Sequence, residues 1–144
     1  MKTKILIILV VVMSFFTVAC TTTSGLVKND QDQRLADEWG VEIVGARLSA
    51  AGYMIDFRYK VLDPEKAKPL FKLQTKPSAI YDKTGDLLHV PSSAKIGALR
   101  QRASVLEKDK IFFIFFGNPA RTIKSGETIS VTIGDFKAEH IKVM

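Results

Sequence analysis

The side chains able to do chemistry are few, and their spacing decides what each can do. Histidine occurs only at His89 and His140, and cysteine only at Cys20. His89 and His140 with Met54 and Met144 form the set a copper carrier would use, because imidazole nitrogen and thioether sulfur suit that metal. Spacing works against the most tempting pair. On one strand His140 and Met144 share a face but stand about 13 Å apart, too far to grip one ion. No His-x-Met or Met-rich cluster accompanies them. We therefore assign no residue to a metal and expect no cofactor; a copper-binding periplasmic protein is the alternative to the reading below.

Catalysis finds even less to work with. Neither histidine lies in a nucleophile elbow or another motif that would set up a serine, histidine and aspartate relay. Glu38 with Glu42, and Asp82 with Asp86, fall at turns and helix ends, where carboxylates are solvated. No Gly-rich phosphate loop is present. The expectation is a protein that is not an enzyme, and what remains is recognition. One candidate surface is the polar face of a strand carrying Met54, Asp56, Arg58 and Lys60. The other is the basic stretch from Lys95 to Lys110, with Arg100 and Arg102, joined by Arg121 and Lys124. Arg58 and Arg100 suit a carboxylate or phosphate group, which a guanidinium can hold through two parallel N–H bonds.

The elements that must position these residues are mostly strands. Tyr53, Ile55, Phe57, Tyr59 and Val61 alternate with Met54, Asp56, Arg58 and Lys60, a period of two that specifies a half-buried strand with the aromatic face inward. Val41 to Leu48 reads as the strand before it, across a small-residue turn at residues 49–52. A short helix over Gln31 to Trp39, capped by Asp30 and stopped by Gly40, precedes both. Trp39 is expected to plug the end of the tether into the domain. Pro64 to Ala67 suits one helical turn. Leu70 to Leu73, Ser78 to Tyr81 and Asp86 to Val90 read as short extended segments, the last two joined at Asp82-Lys83-Thr84-Gly85. Ser92 to Lys110 has helix-like spacing at Ile96, Leu99, Ala103 and Leu106, weakened by Gly97 and the serines, and suits a long structured loop equally. Ile111 to Phe116 is apolar on both faces and predicts a central strand covered on both sides. Ile129, Val131 and Ile133 mark a further strand. The last strand, Phe136 to Val143, changes its apolar phase, which requires either a bulge near Glu139-His140 or burial on both faces. Short strands, Gly-containing turns and little helix together predict an all-β, antiparallel β-sandwich of immunoglobulin-like arrangement.

The amino terminus carries a different signal. Lys2 and Lys4 precede an apolar run from Ile5 to Val18, and Thr17-Val18-Ala19-Cys20 closes it with small residues, the layout of a secretory signal peptide. This run is shorter than the roughly 20 apolar residues of a spanning helix. Its end resembles the lipobox of bacterial lipoproteins, with Thr17 where leucine is usual. The resemblance covers residues 1–20. It implies cleavage before Cys20, lipidation of the Cys20 sulfur and acylation of the new amine, with palmitate as a typical acyl group. The mature chain would then have no free thiol, and multiple acyl chains would hold it to the membrane far better than one. Thr21 in place of aspartate implies, for a Gram-negative host, an anchor in the outer membrane facing the periplasm. The stretch from Trp39 to Tyr59 is similar to bacterial envelope proteins of unassigned function and implies none.

Removing residues 1–19 leaves 125 residues and lowers the formal charge from +6 to +4. That length suits one domain. The division expected is 1–19 signal peptide, 20–37 lipidated tether with the short helix, and 38–144 β-sandwich. Mild positive charge suits an envelope protein or anionic polymer as partner. Nucleic acid is not expected, because the basic residues are scattered and match no groove-binding motif. The function expected is a non-catalytic, lipid-anchored periplasmic binding or scaffold protein of the cell envelope.

Overall fold

The computed structural model describes residues 30–144. The signal peptide, the lipobox with Cys20 and the tether before Asp30 lie outside the described residues. Helix α1 (Asp30–Trp39) leads into strands β1 (Val41–Ser49) and β2 (Met54–Val61), and a short helix α2 (Pro64–Ala67) follows. Then come β3 (Pro77–Tyr81), β4 (Leu87–His89), the two-residue strands β5 (Ser92–Ser93) and β6 (Gly97–Ala98), β7 (Ile111–Gly117), β8 (Thr128–Ile133) and β9 (Phe136–Lys142).

All the strand ladders are antiparallel. One sheet has the order β1-β2-β7 and the other β4-β3-β8-β9. The chain passes from the first sheet to the second after β2, returns at β7 and crosses again to β8. That is the Greek-key connectivity of an immunoglobulin-like sandwich, with β4 carried on the larger sheet. Residues 99–101 extend the smaller sheet: Phe115 N–H donates to the Leu99 carbonyl at 2.9 Å and Gln101 N–H to the Phe113 carbonyl at 3.0 Å. At the far side the end of the chain runs parallel to β1 at Ala46 and Val143, linking the two sheets.

The inward faces meet in one core. Ile55, Phe57, Tyr59 and Val61 from β2 and Phe112, Ile114 and Phe116 from β7 face Ala79 and Tyr81 from β3 and Ile129, Val131 and Ile133 from β8. Alternation put these residues on one face, and burying that face holds the sheets together. Phe57 stacks on Tyr59 at 5.9 Å, and Phe71 meets Phe112 edge-on at 4.7 Å. Asn118, fully buried after β7, is the polar knot of one end. Its Nδ2 donates to the carbonyls of Gly52 and Ile123, both at 2.9 Å, and its Oδ1 accepts from Ile123 N–H at 3.0 Å.

Helix α1 packs on the sandwich through buried Leu35 and through Trp39, which meets Phe136 edge-on at 5.9 Å. Gln31 acts as a substitute strand for β9, donating to the Glu139 carbonyl at 2.9 Å and accepting its N–H at 2.7 Å. Gly40 stops the helix with φ +62°, and a Cβ there would lie 2.7 Å from the Asp63 carbonyl oxygen, so only glycine fits. Asp63 in turn caps α2, accepting from Glu65 N–H and Lys66 N–H.

The bulge expected near Glu139-His140 is present. Pairing shifts between Ile129 and Val131, and His140 adopts φ +53°. Three expectations are corrected, and of the two readings left open for Ser92 to Lys110 the structured loop holds. Tyr53 is exposed, not inward; it precedes β2, with Arg121 over its ring at 5.3 Å. Leu70 to Leu73 is not extended, because a 3-10 turn over Lys68–Phe71 follows directly on α2. Ser92 to Lys110 forms the small β5–β6 hairpin and an irregular return, with no helix. Strand β7 is covered on one side only: Phe113 and Phe115 on its outer face are half-buried and Ile111 is exposed.

Candidate functional site

Strand β2 turns Met54, Asp56, Arg58 and Lys60 outward, as alternation requires, but Asp56 is not solvated. Its carboxylate is 2 % exposed because two guanidiniums cover it. Arg47 lies directly opposite Asp56 on β1, and Arg58 lies two residues along β2 on the same face. Arg47 Nη2 and Arg58 Nη2 approach Asp56 Oδ2 at 3.0 and 2.9 Å, and each Nε also donates to it, at 3.1 and 3.0 Å. One buried negative charge thus fixes two half-exposed positive ones. Arg47 was legible in principle: the tight turn at residues 49–52 sets a register that puts it across from Asp56. Lys60, farther along, pairs with Glu42 at 2.7 Å, and that hydrogen bond raises its pKa above the usual lysine value.

Aromatic surface flanks this network. Phe113 stands opposite Arg58 and Phe115 opposite Asp56 in the β2–β7 register, with the two rings 5.3 Å apart. Val44, squeezed out by the bulge between Ile43 and Gly45, adds an exposed aliphatic group on the other side. The outer face of the smaller sheet therefore combines fixed guanidiniums with half-exposed aromatic and aliphatic groups.

The second basic surface is assembled at the opposite edge of the sandwich, where β4 approaches the 98–102 segment. Arg100 is pinned there and is no free clamp. Its Nη1 donates to the Thr75 carbonyl at 2.8 Å and its Nη2 to the Lys72 carbonyl at 3.0 Å, bracing the turn before β3. Burial, and next the charge of Arg102, make the Arg100 guanidinium easier to deprotonate than usual. Lys76, His89 and Arg102 join it around a groove of about 380 Å³ that has no carboxylate in its lining. Lys76 gave no signal in the sequence, because a loop must fold back to bring it here.

Serine, aspartate and histidine do meet, at the β9 bulge, in an order unsuited to catalysis. Ser130 Oγ donates to Asp82 Oδ1 at 2.7 Å and accepts the His140 N–H at 3.2 Å, while His140 Nδ1 lies 3.1 Å from Asp82 Oδ2. A relay needs the imidazole between hydroxyl and carboxylate. Here the carboxylate stands between, and the trio pins the bulge. Burial pulls the Asp82 pKa up, but hydrogen bonds from Ser130, Thr128 and His140 with the imidazole's charge outweigh it, and the carboxyl ends below its usual range.

The four copper candidates do not converge. His89 and His140 sit on β4 and β9, opposite edges of one sheet, about 14 Å apart at ordinary strand spacing. Met54 begins β2 in the other sheet, and Met144 lies over Gly45. Among the described residues no group of three or more His, Cys, Asp or Glu side chains is placed to hold a metal ion. No helix among them is long and apolar enough to cross a membrane. Comparison with family models, with curated proteins and with solved structures gives no match.

Proposed function

We propose that the chain is a lipid-anchored periplasmic protein of the bacterial envelope, held through Cys20, that binds or scaffolds another envelope component without catalysing a reaction. The observation that carries the binding reading is the Arg47–Asp56–Arg58 network beside Phe113 and Phe115. Arginine and aromatic side chains are the groups enriched where proteins bind each other. Fixing the guanidiniums on a buried carboxylate removes much of the ordering cost that flexible cations lose on association. The face carries a net positive charge, so the partner it suits presents carboxylates around an apolar centre. Copper binding has no geometric support, since its candidate ligands are scattered.

Crosslinking from membranes with the natively lipidated protein tests this. Phe113→Ser combined with Lys60→Gln leaves the Asp56 network intact, and should lose a crosslinked species that wild type captures. The paired variant Lys76→Glu with Arg102→Glu, which spares the Arg100 brace, should keep it. If Phe113→Ser with Lys60→Gln gives the wild-type crosslinking pattern, the sheet face is not the binding surface.

A further inference from the structure

The three most exposed large aliphatic side chains among the described residues are Ile96 at 73 %, Val105 at 70 % and Leu73 at 68 %. They stand on three separate loops along the edge of the sandwich where β4 and the 92–110 return meet β7. Leu73 is in the turn braced by Arg100 and lines the groove of Lys76, His89, Arg100 and Arg102. Val105 lines the adjoining cleft of about 520 Å³, together with Lys68 and Lys72. Ile96 is at the tip of the hairpin whose base, Ser92 and Ala98, closes the groove.

Cations outnumber acids around these tips: Glu65, paired with Lys68, is the acid in the cleft lining beside Val105, and the groove at Leu73 has none. Lys72, Lys76, Lys95 and Arg102 form no ion pair among the described residues, whereas Lys60, Lys68, Lys83, Lys110 and Lys137 each hold a glutamate within 4 Å. Arg100 and Arg102 repel each other across a groove without acids. Isolated aliphatic tips between unpaired cations suit a surface that offers hydrocarbon and negative charge together. A bilayer containing anionic phospholipid is such a surface. A protein partner would favour one contiguous apolar patch, which these tips do not form.

We propose that this edge of the sandwich docks on an anionic phospholipid bilayer, with a headgroup phosphate seated among Lys76, His89 and Arg102 beside the pinned Arg100 and with Leu73, Ile96 and Val105 entering the headgroup layer. The docking rests on the membrane-anchored reading for its local concentration. The stretch from Cys20 to Asp30 spans at most about 35 Å, which keeps the domain within reach of the bilayer. Docked along this edge, the protein leaves the outer face of the β1-β2-β7 sheet available to a partner.

The test is hydrogen exchange on the full, natively acylated chain reconstituted into two sets of vesicles, phosphatidylcholine alone and an equal mixture with phosphatidylglycerol. Amides of residues 72–76 and 92–106 should exchange about tenfold more slowly on the mixed vesicles only, with β2, β7 and β8 unchanged. Lys76→Glu with Arg102→Glu should abolish the difference, and Leu73→Ser with Val105→Ser should reduce it. All four positions lie at the surface, and the exchange pattern of β2 and β8 reports the fold in each variant. Equal exchange on both sets, with the protein floating on both, overturns the docking and leaves the anchor standing. A chain that floats with neither overturns both. Protection of the same loops by inorganic phosphate without vesicles assigns the groove to a soluble anion and also overturns the docking.

Discussion

Asn118 shows how much one side chain can decide in this fold. It joins the turn before β2 to the crossover after β7 through three hydrogen bonds, in a site without solvent. An alanine would leave the Gly52 carbonyl and both peptide groups of Ile123 without that partner. A buried group left unpaired costs its full desolvation, so Asn118→Ala should lower stability by about 3 kcal/mol. Urea unfolding measures this directly, and a loss below about 1 kcal/mol would mean that water enters and replaces the amide. Nothing in the sequence marked Asn118 out beyond a turn before Pro119, because its partners come from Gly52 as well as from its own loop. Asp56 was misread for a related reason. Alternation placed it on the outer face correctly, but could not say that Arg47 and Arg58 would close over it. Side-chain periodicity assigns a face; coverage of that face depends on neighbours across the sheet.

Three carboxyl ties of the larger sheet depend on acid. Asp82, Glu127 and Glu139 are all held below the usual carboxylate range, and all lie on or beside the strands of the larger sheet. Glu127 is lowered first by the Tyr81 hydroxyl, then by Lys124 N–H and by Lys83; the same bond, with burial and nearby carboxylates, pushes Tyr81 up to about 12. A depressed carboxyl stabilises the fold above its unfolded pKa, and the contribution disappears as pH falls through the folded value. Acidification should therefore loosen β3, β8 and β9 at the Asp82 and Glu127 ties. Urea unfolding of wild type and Asp82→Asn between about pH 7 and pH 2 checks the sign: the gap should be widest near neutrality and narrow in acid. A gap that stays constant would mean that Asp82 contributes only its shape to the bulge. The bulge itself was legible, since the apolar phase of Phe136 and Ala138 against Ile141 and Val143 cannot be satisfied on a regular strand.

At the scale of the whole molecule, period-two alternation located β2 and β8, strand-forming runs located β1, β3, β7 and β9, and together these patterns pointed to the sandwich. They failed where no period exists. The 92–110 return follows its hydrogen bonds to Pro91 and β7, and its helix-like spacing was a coincidence that Gly97 and the turns override. The basic groove was half visible, because Arg100 and Arg102 are neighbours in sequence while Lys76 and His89 arrive through the fold. Closure of the sandwich depends on the last described residues in the same non-local way. Val143 is fully buried; its N–H donates to the Glu127 carbonyl at 2.8 Å and its carbonyl accepts from Gly126 at 2.7 Å. Met144 exchanges two further backbone bonds with Ala46 and Leu48 on β1, both at 2.9 Å, while its side chain is 67 % exposed. Deleting Val143 and Met144 removes one buried side chain, worth about 2 kcal/mol, and four hydrogen bonds at about 1 kcal/mol net each. The sum approaches the total stability of many domains, about 5–15 kcal/mol. The deletion should therefore unfold much of the population or shift the urea midpoint steeply. Met144→Ala keeps every backbone bond and should change stability by less than about 0.5 kcal/mol. If instead Met144→Ala costs as much as the deletion, the Met144 thioether over Gly45, and not the parallel seam with β1, would be what holds the two sheets together at that edge.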